Sequence, residues 1–175
     1  MTASPSPSMP TSQSSDPLPA IFKKLNLKAA TEILVVNAPA SFEAEVAALT
    51  GITVHRSIAK VKALHFVLAF VTQQAELDAL SKSVAAKAVG DAIVWFAYPK
   101  QSSKKYSCTF HRDTGWDVLG QAGYEKVRMV AIDTDWSALR FRKAEFVKLL
   151  TRDATRILSD DGKRRVTAKL GKARA

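Results

Sequence analysis

Six apolar runs are spaced along the chain. Three are continuous stretches of aliphatic, β-branched and aromatic residues: "EILVVN" (Glu32 to Asn37), "HFVLAFV" (His65 to Val71) and "DAIVWFAYP" (Asp91 to Pro99). Such runs predict strands buried on both faces, as in a parallel sheet. "ITVHRSI" (Ile52 to Ile58) predicts a shorter strand. The last two, Val127 to Ile132 and Ala138 to Arg142, are separated by the turn-type sequence "DTDWS". In the second, Leu139 and Phe141 alternate with Arg140 and Arg142, the pattern of a half-exposed antiparallel strand at or near a sheet edge.

Between the strands the apolar spacing changes to that of helices. "IFKKLNLK" (Ile21 to Lys28) reads as a short helix or turn over one end of the sheet. "SFEAEVAAL" carries Phe42, Val46 and Leu49 on one face, with Ser41 as expected N-cap and Gly51 as stop. "AKVKAL" is a tight connection. Thr72 is the expected cap of "QQAELDALSKSVAAKAV", whose stripe is Leu77, Leu80, Val84 and Ala88, and Gly90 its stop. "TGWDVLGQAGY" offers a capping box, Thr114 with Asp117, and ends at Gly123. "AEFVKLLTRDATRIL" (Ala144 to Leu158) predicts a basic amphipathic helix, followed by a charged tail.

The order β-α-β-β-α-β-α-β-β predicts an α/β fold: a small Rossmann-like three-layer domain. Its sheet of about six strands is mostly parallel and ends in an antiparallel hairpin. A terminal hairpin after such units resembles class I methyltransferases, here in a reduced form lacking one βα unit after "ITVHRS". Fold alone does not carry function. The expected organisation is a disordered Ser/Pro-rich start (1–18), the Rossmann-like domain (19–143), and the basic C-terminal helix and tail (144–175).

Composition adds little until charge is mapped. The chain has 175 residues, 47% hydrophobic and 24% charged, as in ordinary globular domains. The formal net charge is +10. From Arg140 to Ala175 there are twelve Lys and Arg against four Asp and Glu, so the preceding part is nearly neutral. The tail residues Lys163, Arg164, Arg165 and Lys169 are therefore the candidates for non-specific nucleic-acid association, against the alternative of a solvated tail. Met1 to Asp16 is rich in Ser, Thr and Pro and is expected to be disordered. The single Cys108 and the absence of a Cys/His cluster suggest a reducing, cytoplasmic setting with no metal. The apolar run "FVLAFV" is far short of the ~20 residues a bilayer needs.

Ligands of open parallel sheets bind beyond the carboxyl ends of the strands. That edge gathers Asn37 and Pro39 after the first strand, Lys100, Lys104 and Lys105 in "PKQSSKKY", and Asp133, Asp135 and Trp136 in the hairpin turn. "NAPASF" stands where a dinucleotide loop would need Gly-x-Gly-x-x-Gly, and no acid for a ribose follows the second strand. Glu43 and Glu45 place negative charge at the helix start, where a phosphate would otherwise sit. No nucleotide cofactor is expected. The lysines could clamp a small anion or form a solvated loop. Asp133 and Asp135 could hold a cation or serve as acid and base, or simply shape the turn. Cys108 and His111 suggest a thiol with its base, but no orienting acid is evident.

"LVVNAP", "FVTQQAEL", "WFAYPK" and "VAIDTDWSALRF" together resemble a bacterial family described only as a domain of unknown function. The resemblance covers roughly Ile21 to Lys143 and implies a Rossmann-like fold, without an activity or cofactor. Three functional readings follow. The first is a non-catalytic binding protein, its partner a protein or small anionic ligand at the sheet edge. The second is nucleic-acid association through the tail. The third is a diverged methyltransferase-like enzyme.

Overall fold

In the computed structural model, which describes residues 17–148 and 154–173, a six-stranded sheet forms the centre. The strands are β1 (Glu32–Val36), β2 (Thr53–His55), β3 (Leu64–Phe70), β4 (Ala88–Pro99), β5 (Tyr124–Ala131) and β6 (Trp136–Lys143). Their order is β2-β1-β3-β4-β6-β5. The pairs β1–β2, β1–β3 and β3–β4 are parallel, and β6 is antiparallel to both neighbours. The hairpin therefore folds back, inserting β6 between β4 and β5. This is a Rossmann-like, mostly parallel sheet, and β5, not β6, is its edge strand.

Helices cover both faces. The helices α1 (Ala20–Lys24) and α2 (Ala40–Ala47) join Phe22, Phe42, Phe70, Trp95 and Trp136 in one core layer. The helices α3 (Gln74–Lys87) and α4 (Asp117–Gln121) build the other layer around Leu77, Val84, Trp116, Leu119 and Phe141. The alternation along β6 explains the division. Trp136 and Ala138 enter the first layer, while Leu139 and Phe141 enter the second.

Several local expectations are corrected. Pro39, not Ser41, caps α2: its extended backbone leaves its carbonyl free to accept from the Phe42 amide at 2.8 Å. Glu43 alone is then in the first turn, and Glu45 is not. Gln73, not Thr72, caps α3, because the Thr72 carbonyl accepts from the Thr109 amide at 3.0 Å. The capping box is absent: Thr114 pairs with His111, and Trp116 starts α4 without a side-chain cap. Gly90 does not stop α3, which runs straight into β4. With φ +56 it lies where β4 opposes Leu64 and Phe66 with Ala88 and Ile93, so the glycine serves a bulge.

The largest correction concerns the C-terminal part. Ala144–Phe146 is one 3-10 turn, Val147 is extended, and Ala154–Arg156 is another 3-10 turn. The helix is α5 (Asp160–Ala173). Its start is fixed by a buried carboxylate on β5. Glu125 accepts from the amides of Leu158 (3.0 Å) and Ser159 (2.7 Å) and from the Ser159 hydroxyl (2.5 Å). The Ser159 hydroxyl in turn accepts from the Gly162 amide at 3.0 Å. A Cβ at Gly162 would sit 2.5 Å from Glu125 Oε1, so only glycine fits there. Arg165 donates to the carbonyls of Ala144 and, at 2.8 Å, Val147, which keeps those carbonyls from continuing an α-helix. The Ser/Pro-rich start, Met1 to Asp16, lies outside the described residues.

Candidate functional site

The sheet reverses direction of growth between β1 and β3, the switch point at which open α/β sheets take ligands. There the chain has used its polar groups on itself. Asn37 adopts φ +55, a left-handed turn that Asn tolerates, and its side-chain amide donates to Glu76 Oε1 at 2.6 Å. The other Glu76 oxygen accepts from the Thr72 amide at 3.2 Å. Beside them, Arg56, just after β2, forks onto Glu43 of α2 at 3.1 and 2.6 Å. The start of α2 thus carries a carboxylate already matched to a guanidinium.

The carboxyl end of β4 is built differently. Lys100 follows Pro99, its amide donating to the Asp135 carbonyl at 2.7 Å and its ammonium to the Asp133 carbonyl at 2.5 Å. Asp133 Oδ1 accepts from the amides of Asp135 and Trp136, both at 2.8 Å, an Asx turn. Asp135 Oδ1 accepts from the Ser103 hydroxyl at 2.7 Å, and the Ser103 oxygen accepts from the amides of Lys105 and Tyr106. Trp136 is buried against Phe70 and Tyr106, with ring centroids 5.1 and 5.0 Å away. Pro-Lys and Asp-x-Asp-Trp are therefore the two halves of one clasp between the β4 loop and the hairpin turn. The carboxylates shape the turn, and among the described residues no group of three His, Cys, Asp or Glu could hold a metal ion.

Two adjoining cavities flank this clasp. One, of about 440 Å³, is lined by Tyr98, Lys100, Ser102, His111, Arg112 and Ser137, among others. The second, of about 330 Å³, shares Lys100 and His111 and reaches Tyr106 and Cys108. His111 Nδ1 accepts from the Asp113 amide at 3.3 Å, so a neutral ring carries its proton on Nε2. Arg112 forks onto Asp113, whose carboxyl it holds below its ordinary range. Burial pushes the Tyr98 phenol up, and the Cys108 thiol too, which leaves Cys108 a poor nucleophile. Cys108 and His111 line the same cavity.

Of the edge residues read from the sequence, Lys100, Asp133, Asp135 and Trp136 meet in the clasp. Asn37 and Pro39 belong to the β1–β3 crevice, and Lys104 and Lys105 are exposed on the loop. In α5, Lys163 and Arg164 lie 3.5 and 3.7 Å from the first-turn acids Asp160 and Asp161; Arg165 docks the helix; Lys169 is exposed. Tyr98, Glu76 and Glu125 were not singled out from the sequence. Tyr98 directly before Pro-Lys carried the best available signal.

No protein-family model matches the chain, and no curated protein does. Among solved structures it is similar to the ribosomal protein L11 methylase of Lactobacillus delbrueckii subsp. bulgaricus, at 11% identity, 70% of this chain, 77% of that one and a TM-score of 0.45. It is similar to a magnesium protoporphyrin IX methyltransferase of Synechocystis PCC 6803, solved with SAM bound, at 12% identity, 71% and 74% coverage and 0.44. TrmN of Thermus thermophilus follows at 11%, 71% and 47%, and 0.41. Among the described residues no helix is long and apolar enough to cross a membrane.

Proposed function

We propose that this chain is a methyltransferase-like Rossmann domain that binds a small anionic ligand in the cleft beyond β4, without turning it over. The observation that carries this reading is the convergence of donors on an open cleft at the carboxyl edge. Lys100 keeps two ammonium hydrogens beyond the one given to Asp133, and His111 and Arg112 line the same cleft beside it. A volume of 440 Å³ is within the range of small-molecule sites. The candidate acids and nucleophile support binding over catalysis: Asp133 and Asp135 are committed to the clasp, and Cys108 stays a thiol.

A thermal-shift screen of carboxylate and phosphate metabolites tests it. A ligand at about 100 times its Kd stabilises by about 2.7 kcal/mol, which a melting curve resolves readily. His111→Gln and Arg112→Gln, both on exposed residues, should weaken the response at least threefold. No shift with any anion would overturn the reading.

A second reading, a diverged methyltransferase-like enzyme, is favoured by the strand order, with β6 reversed between β4 and β5. A melting shift with S-adenosylmethionine, joined by transfer of its labelled methyl group, would put this reading first.

A further inference from the structure

The clearest unbalanced charge lies away from the cleft, on the sheet face shared by β4, β6 and β5. Arg140 on β6 stands directly opposite Arg128 on β5, and Arg142, two residues on, shares that face. Like charges directly opposite one another are unfavourable in an antiparallel pair. Arg140 Nε is buried and has no hydrogen-bond partner among the described residues. Burial first, then the Arg142 charge, pull its guanidinium below its ordinary value. Two carboxylates stand near, and both are engaged. Asp91 is forked by Arg142, at 2.7 Å to Nε. Glu125, opposite Arg142, is turned onto Leu158 and Ser159. Arg128 is exposed, with no ion pair among the described residues.

This arrangement continues onto α5. The Glu125 cap ties the start of α5 to β5, the strand that carries Arg128, and α5 brings further exposed cations. Lys163 and Arg164 are held only loosely by their own first-turn acids, and Lys169 is exposed. The cations are thus spread over two elements, which suits a chain of phosphates better than a single anion. Among the described residues the exposed large apolar side chains are Val89 and Met129, neither aromatic, so they offer a base no stacking platform.

We infer that the Arg128–Arg140 face of the sheet, continued by α5, is a docking surface for the phosphodiester backbone of nucleic acid. Guanidinium groups match phosphate oxygens in a fork, and a phosphate placed over Arg128 and the outer guanidinium nitrogens of Arg140 would neutralise their repulsion. The recognition is of backbone charge, independent of sequence and sensitive to salt.

Fluorescence anisotropy of the full chain with labelled oligonucleotides of about 20 nucleotides, at about 50 and 200 mM salt, tests this. Binding is expected at the lower salt and should fall at the higher. Arg128→Glu should weaken it about tenfold and Arg128→Gln about threefold, with a shallower salt dependence by about one phosphate contact. Lys169→Gln should give a smaller loss. Circular dichroism and melting of the Arg128 variants confirm that they fold, since this side chain is exposed. Unaltered binding by folded Arg128→Glu would overturn the inference, as would no binding at low salt. Binding of inorganic phosphate or a mononucleotide that Arg128→Glu abolishes, without oligonucleotide binding, would also overturn it.

Discussion

The two ends of this sheet edge spend the same kinds of residue in different ways. Around β1, Asn37 bonds to Glu76 across the crevice and Glu43 to Arg56 beside it, as exposed or part-buried pairs. At β4, Lys100, Asp133, Asp135 and Ser103 bond mainly to backbone and to one another, under a buried tryptophan. The first end is tied by solvent-facing side chains, the second by a turn with an apolar lid. The end with the firmer local architecture is therefore the one flanked by open cavities. A rigid turn can wall a cleft, whereas mobile surface pairs cannot hold one to a fixed shape.

The largest expected effect tests the lid. Trp136 is 3% exposed and stacks between Phe70 and Tyr106. Trp136→Ala should cost about 3–5 kcal/mol in urea unfolding. A cost below about 1 kcal/mol, typical of an exposed site, would end the contrast between the two edges. Next comes the turn itself. Asp133→Ala leaves the Asp135 and Trp136 amides without their acceptor, a loss of about 1–3 kcal/mol. Ligand binding in the adjoining cleft should weaken with it, because Lys100 is held by the Asp133 carbonyl.

How much of this was legible beforehand differs between the two ends. The strands were readable because each is a bounded apolar run, and the fold order followed from them. The clasp was half readable: the Asp-x-Asp-Trp turn announced itself locally, but its mate Pro99-Lys100 lies over thirty residues away. The Asn37–Glu76 bond, 39 residues apart, left no local trace at all. The C-terminal helix was misplaced because "AEFVKLL" has helical spacing. The stronger cap, Ser159-Asp160-Asp161, needs the buried Glu125 to explain it, and a lone acid in a strand reads as a surface residue.

At the crevice end, Glu76→Gln keeps one acceptor but replaces the other with a donor facing Asn37 or Thr72. About 1 kcal/mol should be lost, a melting shift of roughly 2–4 °C for a chain of this size. Acid titration supplies a control away from both ends. The Arg142 hydrogen bond holds the Asp91 carboxyl below its ordinary range. A depressed folded-state pKa means stability that is present above the unfolded value, near pH 4, and lost as pH falls further. Asp91→Asn should flatten that part of the curve. Because Asp91 is partly exposed, solvent screening keeps the effect small.

The smallest effect separates the two ends most directly. Arg56 and Glu43 form a forked pair with short distances, yet their side chains are 45% and 48% exposed. Water competes for both, and holding two flexible side chains in one geometry costs entropy, so the net contribution should be about 0–1 kcal/mol. Arg56→Gln should therefore move the unfolding midpoint little, and raising salt from about 50 to 500 mM should remove most of the difference from the parent chain. The clasp behaves otherwise: Asp133→Ala acts through backbone hydrogen bonds in a part-buried turn and should lose the same stability at both salt concentrations. If Arg56→Gln cost more than Asp133→Ala, and kept that cost in salt, the crevice would be the rigid end. The search for a ligand would then belong at Asn37 and Glu76 instead of at Lys100.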